Sequence, residues 1–160
     1  AHVDIINVFQ QGEGGSIRFP SSGSQVSVCT IDGSSQRFSQ FLTDNNVDTR
    51  LPLVADYCGA MINVSIKNID GEKGEVEFFA PVFDDIEYRI AKPVIDYVAL
   101  FNASTPTTEN VIFSCNCILN YLYLELEGRK TADIVGPITF GEIAYQLLNQ
   151  TLVYLSVEPV

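Results

Sequence analysis

Apolar and polar positions alternate with a period of two along most of this chain, the pattern of strands with one buried face. Residues 60–68 show it most cleanly: Ile62, Val64 and Ile66 point one way, and Asn63, Ser65 and Lys67 the other. Asp70-Gly71-Glu72-Lys73-Gly74 then supplies a turn with two glycines, and Glu75-Val76-Glu77-Phe78-Phe79 resumes the alternation. Residues 60–79 therefore predict a β-hairpin. Residues 25–31 predict a strand with Val26 and Val28 inward, closed by the turn Asp32-Gly33-Ser34. Residues 86–91 alternate through Ile86, Tyr88 and Ile90, whereas residues 94–101 are apolar on both faces apart from Asp96. The latter predicts a central strand covered on both sides. A β-rich stretch over 110–126, breaking near Asn120, and a last strand over 151–157 complete the set.

Two stretches leave this period. Phe38, Phe41 and Leu42 fall at i, i+3 and i+4, which predicts one or two helical turns over 36–43. Thr139-Phe140-Gly141-Glu142 matches a capping box, with Ile143, Leu147 and Leu148 as a short apolar stripe and Asn149 as C-cap, which predicts a second helix. Strands at this spacing with two short helices predict an all-β fold, an antiparallel β-sandwich of immunoglobulin-like or jelly-roll-like type. One hundred and sixty residues suffice for one domain. Gly12-Glu13-Gly14-Gly15 is the sole linker-like stretch, so the expected organisation is an N-terminal strand over 1–11, a hinge over 12–15 and a sandwich domain over 16–160.

Composition narrows the function. The formal net charge is −11, with 18% charged and 46% hydrophobic residues. Such acidity repels phosphate backbones and argues against a nucleic-acid partner. The run 94–101 is far shorter than the ~20 residues of a membrane-spanning helix. Four cysteines, three Asn-x-Ser/Thr sequons (Asn63, Asn102, Asn149) and an Ala1-His2-Val3 start without a leader fit an extracellular, cell-surface protein. Cys115 and Cys117 would share one strand face and pair poorly with each other, so bridges from Cys29 and Cys58 to that pair are expected. Asn63, on the polar side of its strand, is the expected accessible glycan site.

Candidate chemistry is sparse. His2 sits at the chain terminus, without the fixed partner a catalytic base needs. No nucleophile elbow, dinucleotide-binding turn, phosphate loop or His-Glu-x-x-His helix occurs. Asp44, Asn46 and Asp48 are spaced like the first ligands of a calcium loop, but Thr49 and Ala55 stand where such a loop has Gly and Glu. The expectation is a non-enzymatic protein with no cofactor and no metal. The segment before the hinge carries Val3, Ile5, Ile6, Val8 and Phe9, apolar on both faces, and such an edge invites association. The expected function is an extracellular structural subunit, polymerising into a pilus-like filament by β-strand addition of that segment to a neighbouring copy. The alternatives are a monomeric module that binds a glycan or a receptor, and a viral coat protein.

Overall fold

The computed structural model describes residues 1–105, 110–131, 134, 136–139, 141–143 and 146–157. It is mostly β, with several antiparallel sheets and three short helices among the described residues. In chain order come β1 (His2–Ile6), β2 (Ile17–Arg18), β3 (Gly23–Val26), β4 (Val28–Ile31), β5 (Ser34–Arg37), α1 (Phe38–Asp44) and β6 (Leu53–Tyr57). Next are β7 (Ala60–Val64), β8 (Ile66–Asp70), β9 (Glu75–Val82), β10 (Tyr88–Ile90) and α2 (Tyr97–Ser104). The chain continues with β11 (Val111–Cys117), α3 (Ile118–Tyr123), β12 (Ile138–Thr139), β13 (Gly141–Ile143), β14 (Gln146–Leu148) and β15 (Leu152–Ser156).

Where the sequence suggests one domain over 16–160, the structure has two compact units. The middle unit is Phe9–Pro93, and the terminal unit joins Ala1–Val8 to Val94–Val160. The division falls inside the expected N-terminal segment rather than at the glycines.

In the middle unit a six-stranded sheet runs β5-β4-β2-β10-β6-β7, and a three-stranded sheet runs β3-β9-β8. Both feed one core: Ile17, Leu53, Ala55, Val64 and Tyr88 come from the first, and Val26, Ile66, Val76, Phe78 and Val82 from the second. The expected helix forms as α1, and its stripe buries Phe38 and Leu42 in that core. Phe19 packs edge-on to Phe38 with ring centroids 5.3 Å apart. The Tyr88 hydroxyl lies 2.7 Å from that of Tyr57 and accepts the Phe83 N–H at 2.9 Å, so a fully buried phenol is satisfied.

Two expected strands are each divided between the two sheets. Residues 25–31 break at Ser27 into β3 and β4, and residues 60–68 break at Ser65 into β7 and β8. Each break resets which side chains face the core. Val26 is buried but Val28 is exposed, and Val64, Ser65 and Ile66 are buried in succession. The predicted hairpin survives as β8–β9 alone, since β7 instead pairs with β6 around the turn Cys58-Gly59. Both turn residues have positive φ, 57° and 99°, the requirement of a two-residue type I′ hairpin.

The terminal unit has a sheet in the order β1-β15-β11-β12 and a separate β13–β14 pair. Three expectations change here. Residues 94–101 form no central strand: Asp96 accepts the Ala99 N–H and starts α2, which buries Tyr97 and Phe101, four apart, on one side. An apolar run fits a buried helix as well as a buried strand, and the capping aspartate decides between them. The 110–126 stretch bends at Ile118, before Asn120, and continues as α3. No helix follows the apparent capping box, because Thr139 belongs to β12 and Gly141 has φ 110°, incompatible with a first helical turn. The backbone there makes β13 and β14 instead, while Phe140 lies outside the described residues.

Candidate functional site

The structure redistributes the residues the sequence singles out. All four cysteines are free thiols, which corrects the expected bridges. Cys29 and Cys58 belong to the middle unit, and Cys115 and Cys117 to the terminal one. Within the six-stranded sheet, β2, β10 and β6 separate Cys29 on β4 from the turn that carries Cys58. At about 4.8 Å per strand that is well beyond disulfide reach. Cys29 and Cys115 are each 1% exposed and Cys117 is fully buried. Burial pushes the Cys29 thiol from 9.0 up to about 11, and burial likewise raises Cys115. A thiol reagent at pH 8 should therefore label Cys58 promptly and the other three only after unfolding. Disulfide-linked peptides in a non-reducing digest would contradict this. The raised Cys29 value also sets a sign: its stabilising share is complete below about pH 9 and is lost as pH climbs through about 11.

The sequons divide in a way the alternation missed. Asn63 is 1% exposed rather than accessible, opposite Val54 on the sheet face turned away from the middle core. Asn149 is 4% exposed beside fully buried Gln150, so Asn102 on α2 is the exposed sequon asparagine. The two carboxylates of the calcium-like trio engage their own neighbours. Gln40 donates to Asp44 at 2.6 Å, and Asp48 takes Arg50 at 2.8 Å, a hydrogen-bonded pairing that holds its carboxyl below the usual range. Of the assembly-strand candidates, Val3, Ile5 and Ile6 lie on β1, which pairs with β15 of the same chain from His2↔Ser156 to Ile6↔Leu152. Ile6 and Val8 join the terminal core, and Phe9 is 2% exposed in the middle unit.

One recess among the described residues is not legible in the sequence. It lies in the terminal unit and has a volume of about 320 Å³. β11 contributes Ser114 and Asn116, which as i and i+2 residues share one sheet face, and Leu152 of β15 stands opposite Asn116. Tyr121 of α3, Ile138 of β12 and Leu126, Arg129, Lys130, Thr131, Ile134 and Gly136 of the intervening segment enclose the rest. The segment is folded back by turn hydrogen bonds from Leu126 N–H to the Tyr121 carbonyl and from Arg129 N–H to the Leu126 carbonyl, 3.1 and 3.0 Å.

Polar contacts order this wall. Asn120 donates from Nδ2 to Asn116 Oδ1 at 2.9 Å, and Asn116 N–H donates to the Pro137 carbonyl at 3.1 Å. Tyr97 shares this amide cluster and is 3% exposed, and burial holds its phenol proton well above the usual range. At the rim, Arg129 reaches Asp96 Oδ1 at 3.1 Å. The Asp96 carboxyl lies below the usual range, first because it accepts the Ala99 N–H and then through Arg129. The sequence did carry a signal for this rim. The terminal unit has two basic residues against eight acidic ones, and those two are the adjacent pair Arg129 and Lys130. An otherwise negative unit thus gathers its cationic side chains at one recess. With no carboxylate, thiol or imidazole among the described lining residues, the recess offers cationic, hydroxyl and amide contacts over an apolar floor.

Compared with known proteins, residues 1–158 match a family described as a family of unknown function (DUF6976). No curated protein and no solved structure matches the chain.

Proposed function

We propose a function for a chain that belongs to the DUF6976 family: it is a non-enzymatic recognition protein that holds a small ligand in the recess of its terminal unit. The observation that carries this reading is the recess itself. Its volume falls at the lower end of the roughly 300–1,000 Å³ of small-molecule sites, and a few convergent polar groups stand over apolar walls. The lining supports binding rather than acid–base or nucleophilic chemistry, because Ser114 and Thr131 have no base beside them among the described lining residues. We read the middle unit as a β-sandwich, since two sheets feed a single core. A fragment screen followed by amide chemical shifts should give hits that cluster at Ser114, Asn116, Gly136 and Leu152. Hits scattered over both units, or none, would reject the site.

A second reading keeps the extracellular filament subunit. It is favoured by the position of β1 at the sheet margin, where Val3 is 39% exposed. Exchange of β1 between copies would preserve its whole register with β15. Light scattering at two concentrations separates the readings: a constant monomer mass disposes of the filament, and concentration-dependent polymers would favour it.

A further inference from the structure

Resting on the binding-site reading above, we infer that the ligand class is a small anion with an apolar body, such as a short-chain carboxylate, and that Asp96 competes with it for Arg129. The charge distribution supports the anion. Eight acidic residues give the terminal unit a field that repels anions, while its two basic side chains stand side by side on the rim of the recess. Arg129 and Lys130 are the charged side chains among the described lining residues, and both favour an anionic over a cationic ligand. Lys130 is exposed and has no ion-pair partner among the described residues, so its ammonium is available. Arg129 already has an anion in place, the Asp96 carboxylate at 3.1 Å. That pair is exposed on both sides, 43% and 54%, and solvent-screened pairs of this kind exchange readily. A guanidinium can swing from one carboxylate to another with the same planar, charge-assisted geometry.

The apolar body follows from the floor. Leu126, Ile134 and Leu152 line the recess, and each is at most 5% exposed, so a bare inorganic anion would leave that surface without a partner. Asp96 also caps α2, which links ligand capture to a second element: once Arg129 is taken, the carboxylate is left to the backbone N–H groups of the first helical turn, that of Ala99 foremost.

Four probes test this on the full chain: hexanoate, hexanol, hexylamine and inorganic phosphate, titrated while amide shifts are followed at Asn116, Gly136 and Leu152. Hexanoate should move these amides with a saturable curve, and the other three should do so weakly. Arg129→Gln should weaken hexanoate about tenfold or more, as expected for loss of a charge-assisted contact. Lys130→Gln should weaken it in the same direction without touching Asp96. Asp96→Asn keeps a good capping side chain and frees Arg129, so it should tighten hexanoate about threefold, the scale of an exposed ion pair. Equal binding by hexanol or hexylamine would overturn the anion assignment while leaving the recess as a site. Phosphate binding as tightly as hexanoate would overturn the apolar body. If no probe moves these amides, both this inference and the site reading fall. An Asp96→Asn variant that binds no more tightly would overturn the competition.

Discussion

Phe38→Ala should destabilise the middle unit by about 3–5 kcal/mol. Phe38 has no exposed surface and sits where both sheets and α1 meet. Its ring lies edge-on to Phe19 at 5.3 Å, tilted on Phe78 at 6.0 Å and stacked on Phe41 at 6.2 Å. Removing it opens a cavity among the rings of Phe19, Phe41 and Phe78, and a close-packed site of this kind collapses poorly. Its N–H also donates to the Ser27 carbonyl at 3.0 Å, at the point where β3 passes into β4. A loss of that size is a large part of the 5–15 kcal/mol that stabilises a typical domain. Hydrogen exchange resolved by residue is the suitable measurement, because a chain with two units need not unfold in one step. Protection should fall in β6 and β9, and Phe38→Leu should recover much of it. A loss below about 1 kcal/mol would show that the core is not built around this ring.

Gly136→Ala should clash more severely than an added Cβ at either of the terminal unit's other glycines, Gly128 and Gly141. A Cβ at this position would collide with the carbonyl group of Ser114, which is backbone and cannot turn aside. Ser114 lies in β11 opposite Tyr154 of β15, so relief requires displacing a paired strand or withdrawing the Gly136 segment. Overpacking of this type costs about 1–3 kcal/mol and occasionally more. Both residues line the recess, so the shift should also abolish ligand-induced shifts at Asn116 and Leu152. Gly14→Ala is the control: nothing lies within 4 Å of its added Cβ, and the change should cost less than about 0.5 kcal/mol. Exchange protection should drop in β11 and β15 of the Gly136 variant and hold in β6 and β9. Equal stability of the two glycine variants would refute the close approach.

Local rules fixed the character of this chain. Period-two alternation determines that it is mostly β, and the Phe38, Phe41 and Leu42 spacing determines α1. Asp32-Gly33 and Asp70 to Gly74 determine two of its turns, because the glycines at 33 and 74 reach φ of 85° and 72° at no steric cost. Alternation is a property of one strand, however, and does not carry the identity of the sheet the strand joins. That was decided at Ser27 and Ser65, where the chain changes sheets and the inward face is reset. Val28 became exposed for that reason, whereas Asn63 keeps the face that alternation gave it and is buried because that face is covered, and with its burial went the expected glycan site. Cysteine pairing was equally out of reach, since spacing along the chain does not show that Cys29 and Cys58 fold into one unit and Cys115 and Cys117 into the other. The recess shows both sides of the divide. Its cations were visible in the sequence, as the only basic residues after Lys92. Its walls were not, because Ser114, Tyr121, Gly136 and Leu152 meet only when β11, α3 and β15 pack, and long-range contacts of that kind leave no local period to read.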